Sequence, residues 1–397
     1  MDKKENFLMD QETETEKDEP PDARPHAARP WRVAVIANVR GKVPSNESGP
    51  EDAGAEFDKI ETIQAIQRTI ESDGHTTIFL SADATLPMKL VQENPDICFN
   101  ISEGLGGDSR EAQVPALLEM LHIPYTGSRV LANAVGLDKT MTKRVWRDTG
   151  LPTARFQEFA SGEEDLDADL RFPMFVKPAR EGTGMGMDAH SIVRNAEELR
   201  CQVRWVVSTY RQPALVEEYL SGREFTVAVL GRQDAALYSP RPELYGDDGF
   251  HRFPVLEVDH AKSATPGVYG HHLKTLGFTD EGAARFLCPA DVSPQLLREL
   301  QDLAIKAHTA LGAVDVSRVD IRLDGDGKPC LLEINTLPGL TPDFSDLCVI
   351  ANAGGLGYHR LINEILNLGA SRFGLLAKQS EPQVYGPVEV PVSIRVR

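Results

Sequence analysis

Metal-binding and anion-binding side chains recur at two-residue spacing near residue 320. Residues 317–324 read Ser-Arg-Val-Asp-Ile-Arg-Leu-Asp, and residues 328–341 read Lys-Pro-Cys-Leu-Leu-Glu-Ile-Asn-Thr-Leu-Pro-Gly-Leu-Thr, with Gly-Asp-Gly between them. Two apolar-rich runs around such a turn predict a β-hairpin. Alternate strand residues share a face. Arg318, Asp320 and Arg322 therefore point one way, and Val319, Ile321 and Leu323 the other. Glu333 and Asn335 share a face of the second run, so in-register pairing gathers Asp320, Glu333 and Asn335 on one side. Two carboxylates and an amide oxygen form a hard, oxygen-only donor set. That set suits Mg²⁺, which completes its shell with water and phosphate oxygens. Arg318 adds a fixed positive charge beside it. A solvated hairpin face explains any one of these residues, but explains poorly their convergence before a Pro-Gly turn.

A second constellation lies upstream. The run 172–178 reads as a strand that delivers Lys177, and a glycine-rich loop with Gly182, Gly184 and Gly186 follows it. Glycines let backbone N–H groups approach phosphate oxygens closely, and a lysine supplies a compact charge. The glycine spacing invites comparison with a dinucleotide fingerprint. That motif needs a strand-to-helix turn and an acidic residue about 20 positions on. Strand-like sequence at 189–193 follows here instead, so a nicotinamide-dependent oxidoreductase is set aside.

Together these runs resemble the ATP-grasp superfamily, and within it the D-alanine–D-alanine ligase family, over roughly residues 31–368. The matching residues are Arg318-Val319-Asp320, Leu332-Glu333-Ile334-Asn335-Thr336 and Pro338-Gly339-Leu340-Thr341. To these are added Leu137-Asp138-Lys139 with Gly150-Leu151-Pro152, the glycine loop, and Glu217-Glu218-Tyr219-Leu220-Ser221-Gly222-Arg223-Glu224. The resemblance implies two Mg²⁺ ions, with Mn²⁺ as the alternative, on Asp320, Glu333 and Asn335. It implies ATP held by Lys139 and Lys177 at the phosphates, under a closing loop that carries Thr183. Backbone groups of Glu218 and Leu220 would read the adenine edge, Tyr219 would pack near the ring, and Glu217 would sit by the exocyclic amine. Glu224 would accept from the ribose hydroxyls. A glutamate near the start of the first helix, here Glu56, would hold the first substrate's amino group. Lys262 and Ser345 would bind substrate, and Arg318 with the Gly339 N–H would stabilise a tetrahedral oxyanion.

The implied reaction is ATP-dependent carboxylate–amine ligation through an acyl-phosphate, yielding ADP and phosphate. The partners implied are amino acids or peptides, and a homodimer is compatible with the resemblance. Two alternatives stand beside it: a ligase for another amino acid or peptide, and a non-catalytic ATP-binding module. Intact Arg318, Asp320, Glu333 and Asn335 argue against the module. The acceptor half departs from the family pattern. Ser263 stands where a tyrosine is expected, Phe344 where a serine is expected, and Ser102-Glu103 where Leu-His is frequent. D-alanine alone is therefore expected to be a poor substrate pair, with a bulkier or less anionic amine acceptor working better.

The elements that must position these residues follow from periodicity. Apolar runs predict strands at 33–37, 76–80, 95–101 and 123–125, and 3.6-residue spacing predicts helices at 56–72 and 112–121. This alternation implies a parallel sheet with covering helices. Further helices are expected at 137–147, 196–208, 293–311, 348–353 and 358–368, with strands and a long loop across 236–286. His271-His272 is isolated, with solvent exposure as its expectation, and 388–396 alternates like an edge strand. The fold class is α/β: a Rossmann-like N-terminal domain, then a two-part ATP-grasp fold of α+β character. The expected divisions are an acidic disordered tail at 1–30, the N-terminal domain at 31–132, ATP-grasp subdomains at 133–220 and 221–370, and a tail at 371–397.

A formal net charge of -18 argues against nucleic acid or an anionic membrane as a general partner. The five cysteines are scattered and odd in number, which points to a reducing compartment and no zinc site. No apolar run approaches the length of a membrane span, so a cytoplasmic location is expected.

Overall fold

The computed structural model describes residues 30–41, 52, 54–260, 263, 265–271 and 282–376. Lys262, the acidic N-terminal stretch and the 388–396 run lie outside the described residues.

The first sheet is built from β1 (Arg32–Ala37), β2 (Thr76–Ser81) and β3 (Ile97–Asn100), in the order β2-β1-β3 with both pairs parallel. Residues Val33 to Ala37 are all buried, as a central strand covered on both faces requires. Helix α1 (Ile60–Ser72) links β1 to β2 and turns Ile63, Ile66 and Ile70 inward. It starts at Ile60 rather than at residue 56. The preceding segment is captured by β1's end, where Asp58 N–H donates to the Asn38 carbonyl and Arg40 N–H to the Asp58 carbonyl. Glu56 therefore lies in the turn before the helix. Helix α2 (Leu86–Glu93) links β2 to β3. It has only eight residues and a proline in its first turn, so its periodicity was too short to read. The 123–125 run forms a single bridge, Cys98 to Tyr125, rather than a strand.

Helix α3 (Gln113–Met120) follows, then α4 (Val130–Leu137) and α5 (Lys139–Asp148) in place of the one helix expected from 137. The break is at Asp138, which is extended and caps α5 by accepting from Met141 N–H at 2.9 Å. That cap presents Lys139 at the first position of α5.

The second sheet is antiparallel: β4 (Phe156–Phe159), β5 (Met174–Pro178), β6 (Ile192–Val193) and β7 (Ala214–Glu218), in the order β4-β7-β5-β6. Helix α6 (Ala196–Tyr210) covers it. The third sheet holds β8 (Glu224–Gly231), β9 (Phe250–His251), β10 (Leu256–Asp259), β11 (Arg285–Leu287), β12 (Val316–Leu323) and β13 (Pro329–Asn335). Its order is β11-β10-β8-β12-β13, with β9 on β8. Helix α7 (Pro294–Ala310) packs Leu300, Ala304 and Ala307 against Val319 and Ile321 of β12. Burying each such aliphatic side chain is worth roughly 1.5–3 kcal/mol. A one-residue slip would put Asp320 into that core, so the apolar face holds the register.

Helices α8 (Asp346–Ala353) and α9 (Gly357–Arg372) return to the first sheet. Leu361, Ile362 and Ile365 of α9 share one apolar core with Val33, Val35, Ile63 and Ile66, which joins the two ends of the described chain. Among the described residues no helix is long and apolar enough to cross a membrane.

Candidate active site

The β12–β13 hairpin pairs Arg318 with Asn335 and Asp320 with Glu333. Directly opposed residues share a face, so the four groups converge as the alternation requires. The register then shifts between Asp320 and Ile321, which leaves Leu332 as an extra residue on β13. A bulge turns neighbouring side chains the same way, and both Leu332 and Glu333 line the cleft. Arg318 grips Asp320 through Nε at 3.2 Å and Nη2 at 3.1 Å, and reaches Asp346 at 3.4 Å. Thr226 of β8 donates to the Asp320 Oδ1 at 2.9 Å. Asn335 Oδ1 accepts from Leu337 N–H at 2.8 Å, which fixes the amide and leaves its second lone pair.

Lys139 stands across from this face. Its Nζ lies 3.5 Å from Glu333 Oε2 and donates to the Glu181 carbonyl. Deeper in, Glu217 of β7 lies between two lysines, Lys177 at 2.8 Å and Lys143 at 2.7 Å. Burial alone would raise the Glu217 carboxyl, but Lys143 and Lys177 together hold it down at about 2. For Lys177 burial is outweighed by Glu217 and Glu333, and its pKa rises; for fully buried Lys143 burial prevails and its pKa falls. Lys143 was not among the residues singled out in the sequence. Its position one helical turn after Lys139 on α5 was the available signal.

A cleft runs from these groups between the second and third sheets; its lining includes Phe175, Lys177, Tyr219, Leu220, Glu224 and Arg322. Tyr219 stacks on Phe175 at 6.5 Å, with the Arg322 guanidinium 4.9 Å from its ring. The Glu218 N–H is taken by the Arg155 carbonyl at 2.9 Å, so a base-edge contact from that residue falls to its carbonyl. Glu224 is engaged by His260 at 3.1 Å and Arg322 at 3.4 Å. Arg322 continues the β12 alternation, yet the sequence alone did not assign it to this cleft.

The glycine loop leaves β5 directly. Thr183 has φ 51, and Gly184 and Gly186 have φ 69 and 70. A Cβ at Gly184 would lie 2.6 Å from the His271 backbone nitrogen, whose N–H donates to the Gly184 carbonyl at 2.8 Å. His271 is therefore packed on the loop and half-buried, contrary to the exposure expected for it. The loop's far side meets the first sheet. Gly182 N–H donates to Glu56 at 2.7 Å, and Gly186 N–H to Asp52 at 3.1 Å.

On the acceptor side Ser263 donates to the His260 carbonyl at 2.8 Å and is buried, so its hydroxyl is spent locally. Phe344 is 48% exposed. Ser345 Oγ accepts from Thr341 N–H at 3.0 Å and lies against Gly339, where a Cβ would be 2.9 Å away. The Gly339 N–H has no hydrogen-bond partner among the described residues.

Residues 145–367 match the family model described as D-ala D-ala ligase C-terminus. The chain is 37% identical to a Halorhodospira halophila D-alanine–D-alanine ligase over 271 residues, 68% of this chain and 78% of that protein. The chain belongs to the D-alanine–D-alanine ligase family. Aquifex aeolicus has a further D-alanine–D-alanine ligase 32% identical over 308 residues, covering 77% of this chain and 94% of that one. An uncharacterised Sinorhizobium fredii protein is 34% identical over 356 residues, 86% of this chain and 98% of its own. A crystal structure of the Bacillus anthracis D-alanine–D-alanine ligase complexed with ATP superposes with a TM-score of 0.63 at 22% identity, covering 87% of this chain and 99% of that one. That likeness establishes the ATP-grasp fold for this family member. Membership makes it an ATP-dependent ligase.

Proposed function

We propose that this ligase joins the carboxylate of one amino acid or peptide to an amine, through an acyl-phosphate, in the cleft between its second and third sheets. The observation that carries this reading is Asp320 paired directly with Glu333, with Lys139 Nζ 3.5 Å from the latter. Asp320, Glu333 and Asn335 would hold Mg²⁺, or Mn²⁺ in its place. Their hard oxygens fit such an ion. Two carboxylates and one amide oxygen would leave the rest of the ion's shell to water and phosphate oxygens. Bound there, the ion would neutralise charge on the β- and γ-phosphates.

The remaining work falls to side chains. Lys139 and Lys177 supply positive charge where the phosphates lie, and Glu217 keeps Lys177 ionised and aimed. Tyr219 and Leu220 bound the base, and Glu224 receives the ribose hydroxyls. Thr183 and its glycines exclude water from the acyl-phosphate. Arg318 and the Gly339 N–H offer donors to the developing oxyanion, and Ser345, beside Gly339, lies where the second substrate's carboxylate would come.

Lys177→Ala is expected to raise the KM for ATP and to lower kcat together, each by about tenfold or more, because its ammonium acts on ground state and transition state alike. Unchanged values of both in steady-state ADP release would remove Lys177 from the site. D-alanine supplied alone is expected to support slow ADP release, because Ser263 and Phe344 stand where a tyrosine and a serine are found in the family. A panel of amino acids and dipeptides at matched concentration tests this. Efficient turnover with D-alanine alone would show these departures to be neutral.

A further inference from the structure

On the reading that Glu224 accepts the ribose hydroxyls, the ribose end of the cleft is built around a buried cation, Arg322. The strand register sets Arg322 of β12 directly opposite Glu224 of β8, so the two share a face. The guanidinium lies 3.4 Å from Glu224 Oε2 and is pinned by three further groups. Its Nε donates to the Gly222 carbonyl at 3.2 Å, Nη1 to the Gly267 carbonyl at 3.1 Å and Nη2 to the Tyr219 hydroxyl at 3.0 Å. Tyr219 in turn donates to the same Gly267 carbonyl at 3.3 Å. Gly267 has φ 86, and a Cβ there would lie 2.5 Å from the Tyr219 hydroxyl oxygen, so only a glycine lets this segment close on the ring.

His260, just after β10, approaches the same Glu224 oxygen at 3.1 Å through Nε2. Its Nδ1 accepts from the Gly267 N–H at 3.1 Å, which leaves the ring proton on Nε2 as a donor to Glu224. His260 thus contributes a hydrogen bond, and Arg322 the fixed positive charge. A carboxyl group accepts through both oxygens only while ionised, since the protonated acid uses one oxygen as a donor. Burial by itself favours the protonated acid, and a neighbouring guanidinium favours the ionised one. Tyr219, Glu224, Gly267 and Arg322 line both the cleft and an adjacent recess that also touches Arg194 and Arg223. These four residues therefore form the partition between the two spaces.

We infer that Arg322 is a positioning residue for Glu224 and Tyr219 that makes the cleft selective for a ribonucleoside triphosphate over its deoxy- and ribose-O-substituted counterparts. Two effects come from one side chain. Its charge keeps Glu224 ionised and aimed, so a missing ribose hydroxyl removes a donor from a buried carboxylate. Its three hydrogen bonds hold the partition closed, so a substituent on a ribose oxygen meets Tyr219 and Gly267 rather than open space. A lysine would keep the charge, but a single ammonium cannot hold three acceptors in the plane of a guanidinium.

The test compares ATP with 2′-deoxyATP, 3′-deoxyATP and 2′-O-methyl-ATP by steady-state release of the nucleoside diphosphate. The proteins are the wild type, Arg322→Met, Arg322→Lys and Glu224→Gln. The wild type is expected to prefer ATP over each analogue by about tenfold or more in kcat/KM. In Arg322→Met the KM for ATP is expected to rise about tenfold, with kcat lowered less than about threefold and the preference reduced to within about threefold. Arg322→Lys is expected to recover part of the preference over the deoxynucleotides but not that over 2′-O-methyl-ATP. An arginine with a merely structural role would lower turnover of all four nucleotides alike. Unchanged ratios in Arg322→Met therefore overturn the inference, as does a wild type without preference for ATP. Should Arg322→Met fail to fold, an unchanged ratio for 2′-O-methyl-ATP in Arg322→Lys overturns it. Glu224→Gln separates the two readings. If it keeps the preference, Glu224 is not the ribose acceptor and both fall; if it loses the preference while Arg322→Met keeps it, only the inference about Arg322 falls. If no substrate supports turnover, the ligase reading fails separately, and the same ratios, taken from calorimetric Kd values with Mg²⁺, decide the role of Arg322.

Discussion

Replacing Glu333 with glutamine is expected to lower ATP-dependent turnover on the order of a thousandfold, with the fold unchanged. Glu333 is paired across the hairpin with Asp320 and lies 3.5 Å from Lys139. It therefore links the Asp320 side of the hairpin to Lys139. The amide keeps the shape but loses the charge that a divalent ion and the Lys139 ammonium both require. No apolar core contact is removed, because the side chains packed on α7 come from the opposite face of the hairpin. The checks are ADP release over a Mg²⁺ titration and a thermal unfolding curve. Near-normal turnover would remove Glu333 from the catalytic face, and a large fall in Tm would make its role structural.

Glu217→Ala is expected to cost about 3–5 kcal/mol of stability, because it strands two buried ammonium groups. Lys143 is fully buried, and besides Glu217 its hydrogen bonds among the described residues go to Thr153 Oγ1 at 2.6 Å and the Leu331 carbonyl at 3.3 Å. Lys177 loses its 2.8 Å partner in the same step. Pairing Glu217→Ala with Lys143→Met should restore part of the loss, which a double-mutant cycle in urea would measure. A loss below about 1 kcal/mol would show that water or other groups compensate the lysines. The pair also carries a pH signature. The Glu217 carboxyl is held at about 2 against an ordinary 4.5, so its contribution is fully present above pH 4.5 and is lost as pH falls toward 2. Acid unfolding followed by circular dichroism should therefore shift to higher pH in Glu217→Ala.

The sequence by itself determined the β12–β13 hairpin and the residues that share its polar face. Period-two alternation around Gly-Asp-Gly required Asp320, Glu333 and Asn335 to share a face, whatever lay elsewhere. The reason is local: strand geometry alternates side chains, and the apolar residues Val319 and Ile321 demand a core on one side only. The glycine loop, Lys177 and Lys139 were legible in the same way, from steric and capping rules that act within a few residues. The bulge at Leu332 was not legible, because one unpaired residue leaves no pattern in a seven-residue strand.

What only the tertiary structure decided are the partners that long-range folding brings together. Glu217 and Lys143 are 74 positions apart, and Glu56 and Gly182 are 126 apart. Nothing in either local sequence signals the other. Glu56 read as a helix-start glutamate able to hold a substrate amine. Backbone pairing of 58 with 38 and 40 makes the helix start only at Ile60, and the Arg110 guanidinium lies against the Glu56 carboxylate. Lone charges are ambiguous in sequence because their worth depends on burial and on what neutralises them. Both are settled only when the tertiary fold brings Glu56, Arg110 and the glycine loop into contact.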